Sequence, residues 1–171
     1  MKTILSKKDI LVLIHQTPPL IKDFVKLEDQ LQPNGFDLTI RDIASIQSQG
    51  KIGVTNTLRK LSDLTPLSFK GEEFLYLAPG SYVVTYNEIV HLPKKVMALG
   101  APRSSLLRCG VTVHMAIWDA GYSGRSQSLL TVYNPMGFQI QKNSRVAQLV
   151  FMELTDETEA YNGAYQGENI K

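Results

Sequence analysis

One eight-residue stretch decides how the sequence is organised: Ile117-Trp118-Asp119-Ala120-Gly121-Tyr122-Ser123-Gly124. It places a single carboxylate beside two glycines, so the chain is expected to turn sharply at an acid. A β-prone apolar run precedes it at residues 111–117, and another follows at residues 129–133, which predicts a strand on each side. An acid at a glycine-rich corner between two strands is rigidly held and can still reach a ligand.

Chain length, net charge and hydropathy limit the classes of protein to which this sequence can belong. The chain has 171 residues, and we expect one domain with a buried core, an N-terminal helix and linker over residues 1–25, and a flexible tail over residues 155–171. The net charge is +2, too small to argue for nucleic acid or a membrane surface as partner. No apolar stretch approaches the ~20 residues of a membrane span.

The single cysteine indicates the redox environment of the protein, and its neighbours in sequence indicate whether its thiol is reactive. Cys109 excludes an internal disulfide, which fits a reducing environment. It lies in the apolar run 106–111, so we expect a small core residue in preference to a reactive thiol. The first nine residues show no signal-peptide pattern, and we therefore expect a cytoplasmic protein.

The order of structural signals predicts a mainly β protein with a short N-terminal helix. Ser6 is a predicted helix N-cap, with Asp9 in the capping-box position. Thr17-Pro18-Pro19 ends that helix. Many short β-prone runs separated by Pro and Gly turns then predict a barrel or jelly-roll-like body, with residues 41–73 as short strands and loops.

The first candidate site residue follows a turn. Pro33-Asn34-Gly35 predicts the turn, and the alternation over residues 36–40 predicts a strand. Asp37 and Thr39 would project from the face opposite the apolar residues. We favour Asp37 as a solvated strand residue or a structural hydrogen-bond partner over a catalytic role.

A second candidate group lies at residues 102–108. Arg103, Ser104 and Ser105 stand together at the predicted start of a short helix, where free N–H groups, hydroxyls and a guanidinium suit phosphate oxygens. An ordinary serine N-cap beside an exposed arginine fits the same residues equally well. The residues alone leave both interpretations open.

Two further polar residues lie within apolar runs. His114 has no second His or Cys at ligand spacing, so we expect a structural or rim residue and no histidine metal site. Gln148 requires a partner or a ligand for its amide. The glycine-rich tail over residues 161–168 carries tyrosines that would gain from stacking on a flat group.

The order of these segments resembles a known superfamily. The quoted motifs Asn34–Leu38, Pro102–Ser105, Ile117–Gly124 and Ser144–Leu149, followed by a glycine-rich aromatic tail, resemble the five ordered motifs of the trimeric dUTPase and dCTP deaminase superfamily. The resemblance covers about residues 30–168. It implies a jelly-roll-like dUTPase fold, a homotrimer with active sites between subunits, and a deoxynucleoside triphosphate substrate whose Mg²⁺ is carried by the triphosphate.

The resemblance also implies roles for individual residues. Asp119 matches the acid that activates the attacking water, and Tyr122 matches the tyrosine that packs under the deoxyribose and excludes a 2′-hydroxyl. Asp37 matches the acid of the first motif, and the backbone of residues 113–117 matches the hairpin that reads the pyrimidine. The other expected substrate-binding residues are Arg103, Ser104, Ser105, Arg108, Gln148, Tyr165 and Gln166, the last two in a tail that closes the active site.

One position distinguishes the two branches of the superfamily. Deaminases use a glutamate three residues before an asparagine, whereas this chain has Thr131 before Asn134 and no glutamate between residues 108 and 152. A threonine cannot relay the deaminase's protons. Arg108 and the tail resemble deaminases, so the mixture is most similar to archaeal-type dUTPases.

The resemblance therefore implies a dUTP diphosphatase that makes dUMP and pyrophosphate. Such an enzyme keeps uracil out of DNA and supplies dUMP for dTMP synthesis. The alternatives are a dCTP deaminase, alone or bifunctional, and a non-catalytic nucleotide-binding regulator.

Overall fold

The chain folds around one long, bent strand in a computed structural model that describes residues 3–71 and 73–170. Met1, Lys2, Glu72 and Lys171 lie outside the described residues, so the outermost ends of the predicted N-terminal segment and tail, and one position of the 41–73 stretch, are not covered. The helices are α1 (Lys7–Ile14), α2 (Leu27–Gln30) and α3 (Ser104–Arg108), with a 3₁₀ turn at Asn56–Leu58.

The strands form most of the ordered structure. In chain order they are β1 (Ile21–Lys22), β2 (Leu31–Gln32), β3 (Gly35–Ile46), β4 (Leu64–Leu67), β5 (Leu75–Leu77), β6 (Gly80–Tyr86), β7 (Ile89–His91), β8 (Val96–Pro102), β9 (Val111–His114), β10 (Ser123–Gly124), β11 (Gln127–Val132), β12 (Phe138–Ile140) and β13 (Arg145–Glu153). The predicted mainly β architecture is confirmed.

The largest sheet is antiparallel and nearly closes on itself. Its order is β8-β13-β3-β6-β11-β9, and β2 and β4 also pair with β3. Strand β3 takes part on both sides because it bends: its first half pairs with β13 and its second half with β6 and β4. The pairing register shifts between Ile40 and Asp42 and between Arg145 and Ala147, and such irregularities accompany bent strands.

The core lies inside this curved sheet. Its largest fully buried side chains include Phe36, Tyr86 and Phe151. Trp118 bridges Ala98 of β8 through two backbone hydrogen bonds of 2.9 and 3.1 Å. The residues that follow β9 are thereby tied to β8, and the corner sits where the two edges of the sheet approach each other.

Several local predictions are confirmed. Helix α1 begins after Ser6, whose side chain and Asp9 form the predicted capping box, and α3 begins at Ser104 after Arg103. The sequence Asn134-Pro135-Met136-Gly137 is typical of a turn, and this turn closes with a 2.9 Å hydrogen bond from the Gly137 N–H to the Asn134 carbonyl. The strand predicted over residues 111–117 is shorter and ends at His114.

Two expectations about burial are wrong. Cys109 is exposed, because α3 is only five residues long and presents Leu106 alone to the core, while Cys109 caps its end. Asp37 and Thr39 are both buried, so Asp37 is not a solvated strand residue. The face of β3 that they occupy is covered by Gln30 and Glu88, which both hydrogen-bond there.

None of the helices within residues 3–71 and 73–170 is long and apolar enough to cross a membrane.

Candidate active site

The corner at residues 117–124 is pinned to the framework on both sides of its acid. Before Asp119, Trp118 is bonded to Ala98; after it, the Tyr122 carbonyl accepts from Leu92 N–H at 2.8 Å. The turn itself is closed by a 3.1 Å hydrogen bond from the Tyr122 N–H to the Asp119 carbonyl. The backbone of Asp119 is therefore fixed while its side chain remains exposed.

A pocket of about 490 Å³ opens beside this acid. Buried Trp118 forms part of its wall and donates its indole N–H to the Ser126 hydroxyl at 3.0 Å. A second pocket, of about 500 Å³, shares Asp119. The first pocket is lined by Leu61, residues 116–119, Tyr122, Ser126, Gln127, Tyr161, Tyr165 and Glu168. A carboxylate shared by two open cavities can be reached by a ligand from either side.

The tail, residues 155–170, lies along this corner. Its backbone pairs with the corner at both ends, through Tyr161 N–H to Ala120 carbonyl at 2.9 Å and Gly167 N–H to Ser123 carbonyl at 2.8 Å. The rings of Tyr161 and Tyr122 meet edge to face with their centroids 5.8 Å apart. The tail thus supplies one wall of the pocket.

The two tail residues expected to bind substrate occupy different positions. Tyr165 lines the pocket, and the Arg59 guanidinium lies 5.5 Å from the centre of its ring. The Gln166 amide instead spans the corner backbone, donating to the Gly121 carbonyl at 3.0 Å and accepting from Ser123 N–H at 2.8 Å. In this arrangement Gln166 holds the tail against the corner.

Asp37 lies in a separate group, which we call the arginine cluster: Asp37, Arg103 and Arg145. One carboxylate oxygen, Oδ2, is 3.2 Å from Arg103 Nε and 3.3 Å from Arg145 Nη1. Burial raises the pKa of the Asp37 carboxyl, and the two guanidinium groups offset part of that rise. Asp37 thus contacts two cations through one oxygen, and its supporting role in the site stays a prediction.

Of the other predicted phosphate contacts, Gln148 lies on the same face of the sheet as Asp37, because the two residues are direct cross-strand partners. Gln148 is paired with Asp37 of β3 and Ala101 of β8, and its side chain packs over Gly35, where a Cβ atom would approach its Cγ to 3.0 Å. Ser104 and Ser105 are exposed at the start of α3, and Arg108 is exposed at its end.

Within one chain, the predicted site residues therefore fall into two groups. Asp119, Tyr122 and Tyr165 line the pocket at the corner, together with the tail. The arginine cluster and Gln148 are not among that pocket's lining residues in the described part of the chain. Each group is held rigidly, and neither of the two pockets described within residues 3–71 and 73–170 contains both groups.

At the position of the deaminase glutamate, this chain has an uncharged residue, Thr131. Thr131 lies one residue before the end of β11, opposite Ser81 of β6 and Thr112 of β9. Its hydroxyl is 3.4 Å from that of Ser81. A pair of hydroxyls offers no carboxylate for proton transfer to a base.

Several residues at the site were missed by sequence reasoning. Arg145 could have been found from its place three residues before Gln148, within the quoted fourth motif. Buried Arg125 has no such signal: it pairs with Asp23 at 2.9 Å and donates to the carbonyls of Asn87 and Asn169. Glu168 and Leu61 reach the pocket from distant parts of the chain.

No cluster of three or more His, Cys, Asp or Glu side chains suited to a metal ion occurs within residues 3–71 and 73–170. Mg²⁺ is usually held by only one or two carboxylates together with water and substrate phosphates. The exposed Asp119 carboxylate is a donor that such an ion accepts alongside substrate phosphates.

Comparison with known proteins assigns the family. Residues 4–154 match the family model described as dCTP deaminase-like, and the chain belongs to that family. A Methanosarcina acetivorans protein named probable deoxyuridine 5′-triphosphate nucleotidohydrolase is 46% identical over 99% of both chains. The Archaeoglobus fulgidus protein of the same name is 43% identical over 98% of both chains.

A solved structure supports the fold independently. The 2′-deoxycytidine 5′-triphosphate deaminase of Agrobacterium tumefaciens superposes with a TM-score of 0.66 at 21% identity. The match covers 89% of this chain and 48% of the deaminase chain. At this identity the likeness establishes the shared fold, and the chemistry has to be argued from the site.

Proposed function

We propose that this protein is a dUTP diphosphatase, which hydrolyses dUTP to dUMP and pyrophosphate. The geometric observation that carries the proposal is the exposed Asp119 carboxylate on a rigid corner, at the mouth of a pocket that Tyr122 also lines. Relatives up to 46% identical over nearly the whole chain carry the corresponding name. The same activity would supply dUMP and keep uracil out of DNA, and the substrate and the single cysteine support a cytoplasmic location.

The proposed reaction requires one correctly placed general base. Asp119 takes a proton from a water molecule as the water oxygen attacks the α-phosphorus; the bond to the bridging oxygen breaks, and pyrophosphate leaves. Such a base contributes about 10²–10⁴ in rate when it is correctly placed. The pinned backbone on either side of Asp119 provides that placement without requiring the side chain to be buried.

Recognition of the nucleoside falls to the pocket. Tyr122 is proposed to pack under the deoxyribose and leave no room for a 2′-hydroxyl, with Trp118 and the tail as neighbouring walls. Tyr165 is proposed to contact the bound nucleotide from the tail, and Gln166 to keep the tail in place. The backbone after β9 is proposed to read the pyrimidine.

The triphosphate is proposed to meet the arginine cluster. Arg103 is one-third exposed and is oriented by Asp37, and Ser104, Ser105, Arg108 and Gln148 offer further donors. Guanidinium groups and hydroxyls are good partners for phosphate oxygens. Mg²⁺ is proposed to bind the triphosphate itself and, when bound, would neutralise part of its charge.

A homotrimer would unite the two groups of residues. One chain holds Asp119 and Tyr122 at one place and the arginine cluster at another, so neither group alone can hold both the nucleoside and the phosphates. We propose that the corner of one copy faces the arginine cluster of the next, as a closed symmetric assembly allows. Each trimer would then contain three complete sites.

One observation in particular argues against the alternative that the protein is a dCTP deaminase. Thr131, at the position of the deaminase glutamate, is bonded to Ser81, and no glutamate occurs between residues 108 and 152. The fold shared with a deaminase does not decide the matter, because the two reactions use different residues on the same framework.

Product analysis tests the proposal. The protein is incubated with Mg²⁺ and either dUTP or dCTP, and pyrophosphate and ammonia are followed separately. We expect pyrophosphate from dUTP and no ammonia from dCTP. Ammonia release would overturn the hydrolase-only assignment, and binding of both nucleotides without any product would support a non-catalytic regulator.

A further inference from the structure

Among the residues that the structure describes, Glu168 is the only acidic side chain besides Asp119 that lines the first pocket, the one of about 490 Å³. It comes from the tail, and its Oε1 atom accepts a hydrogen bond from the Tyr122 hydroxyl at 2.9 Å. Tyr122 is buried, so its hydroxyl needs a partner away from water. The tail supplies this carboxylate acceptor, and Ser126 after the corner also hydrogen-bonds to the Tyr122 side chain.

The glycines of the corner leave room for this contact. A Cβ atom at Gly124 would overlap the Tyr122 hydroxyl and lie 3.2 Å from Glu168 Cγ, and one at Gly121 would lie 2.6 Å from Ala160 Cα. Gly121 also has a φ of +80°, which favours glycine. The two glycines therefore accommodate the docked tail as well as the turn.

The backbone on both sides of Glu168 fixes its position. The Gly167 N–H donates to the Ser123 carbonyl at 2.8 Å, and the Glu168 carbonyl accepts from the Arg125 N–H at 2.9 Å. Burial raises the pKa of the Glu168 carboxyl, so this side chain gives up solvation to meet Tyr122. A contact held at three points differs from the chance approach of a mobile tail.

We propose that Glu168 is a positioning residue that fixes the ring of Tyr122, so that docking of the tail completes the surface that discriminates deoxyribose from ribose. This inference rests on the proposed function, because it requires that Tyr122 packs under the deoxyribose. With its hydroxyl held, the ring cannot tilt away from a 2′-hydroxyl. With the contact removed, the ring is free to yield, and ribonucleotides gain access.

Three variants test the role of Glu168. Glu168→Ala removes the acceptor, Glu168→Gln keeps an oxygen acceptor of the same size, and Tyr122→Phe removes the donor. For dUTP against UTP, we expect the ratio of kcat/KM to fall about tenfold in the alanine variant, the loss typical of a hydrogen bond to a charged group. The fall should come mainly from a lower KM for UTP and a higher KM for dUTP, with kcat for dUTP little changed.

The pattern across variants separates positioning from general damage. Glu168→Gln should restore most of the discrimination, and Glu168→Ala combined with Tyr122→Phe should lose no more than either variant alone, because both remove the same contact. Glu157→Ala, an exposed tail carboxylate, is the matched control and should keep the wild-type ratio. An unchanged ratio in Glu168→Ala, or fully additive losses, would overturn the proposal.

A second measurement does not depend on turnover. Hydrogen exchange at the Gly167 and Arg125 amides reports docking of the tail in the absence of nucleotide, and calorimetry reports binding of dUTP and UTP. If the wild-type protein hydrolysed no dUTP, the proposed function would fail, and the inference would be judged on binding selectivity. Unaltered exchange and unaltered selectivity in Glu168→Ala would contradict it even then.

Discussion

Asp37 and Asp119 are both aspartates set against the same β framework, yet their surroundings are opposite. Asp37 lies within β3 with 2% of its surface exposed, and its carboxylate holds Arg103 at 3.2 Å and Arg145 at 3.3 Å. Asp119 lies on a turn, and its side chain is exposed to two pockets.

This difference in burial predicts different roles for the two aspartates. A buried carboxylate between two guanidinium groups is committed to orienting them, and moving a proton to it would break that arrangement. An exposed carboxylate on a pinned backbone keeps its position and is still free to accept a proton from water. Under the proposed function, the chain would therefore separate the positioning of phosphate-binding cations from the activation of water.

The largest expected effect comes from neutralising the exposed acid. Asp119→Asn should lower kcat for dUTP by about 10²–10⁴, because the base is lost, while dUTP still binds. Steady-state kinetics and calorimetry measure the two quantities. Turnover equal to that of the wild type would remove Asp119 from the role of base.

Neutralising the buried acid should instead damage the fold. Asp37→Ala leaves two guanidinium groups facing each other without their acceptor, and we expect a loss of roughly 1–3 kcal/mol in the free energy of unfolding. Urea denaturation measures the loss. The control is Asp42→Ala on the same strand, whose ion pair with Arg41 is exposed and should matter by less than about 1 kcal/mol. Equal losses in the two variants would show that burial does not distinguish these acids.

A third acid, Glu88, extends the comparison to the pH dependence of stability. Glu88 is fully buried, accepts from Gln30 and Thr39, and has its pKa raised by that burial from an ordinary value of 4.5. A raised folded-state pKa means that its contribution to stability is complete below pH 4.5 and is lost as pH rises through the folded-state value.

We therefore expect the stability of the wild type relative to Glu88→Gln to decline above pH 4.5, by up to about 1.4 kcal/mol per pH unit. The decline should level off once the pH exceeds the folded-state pKa. Denaturation at a series of pH values measures it. A difference between the two proteins that is constant with pH would mean that Glu88 titrates alike in the folded and unfolded chains.

The smallest effect is expected at the position that separates the two branches of the family. Thr131→Val removes a hydroxyl that makes a long, 3.4 Å hydrogen bond with the Ser81 hydroxyl. A bond of this length contributes little. The kcat for dUTP should change less than about twofold if Thr131 takes no part in the chemistry. A large loss of turnover would place this strand in the reaction.

Local rules were sufficient for the elements that depend on neighbouring residues. The capping box of Ser6 and Asp9, the helix start at Ser104 and the turn after Asn134 were predictable because each is closed by hydrogen bonds within a few residues. The corner at Asp119 was predictable for the same reason, since its glycines mark a turn between two β-prone runs.

Burial was predicted less well where it depends on what packs above a strand. Alternation put Asp37 on the outer face of β3, but Gln30 and Glu88 come from other parts of the chain to cover that face. Cys109 follows two leucines and still lies outside the core, because a five-residue helix turns only one of its side chains inward.

The tail contact had no sequence signal at all. Glu168 meets Tyr122 across 46 residues, and nothing in either local pattern indicates the other. The division of the site into a corner and an arginine cluster also depends on where the strands lie in space, which the order of motifs does not specify.

Mixing two inactive variants tests most directly whether the corner of one copy and the arginine cluster of another form one site. Asp119→Asn lacks the base, and Arg103→Ala lacks a phosphate-binding cation, so each alone should be nearly inactive. If subunits exchange at random in equal amounts, about a quarter of the sites receive both intact halves. We predict that dUTP hydrolysis rises to about a quarter of the wild-type rate after unfolding and refolding the mixture; activity that stays at the level of the separate variants would contradict the account.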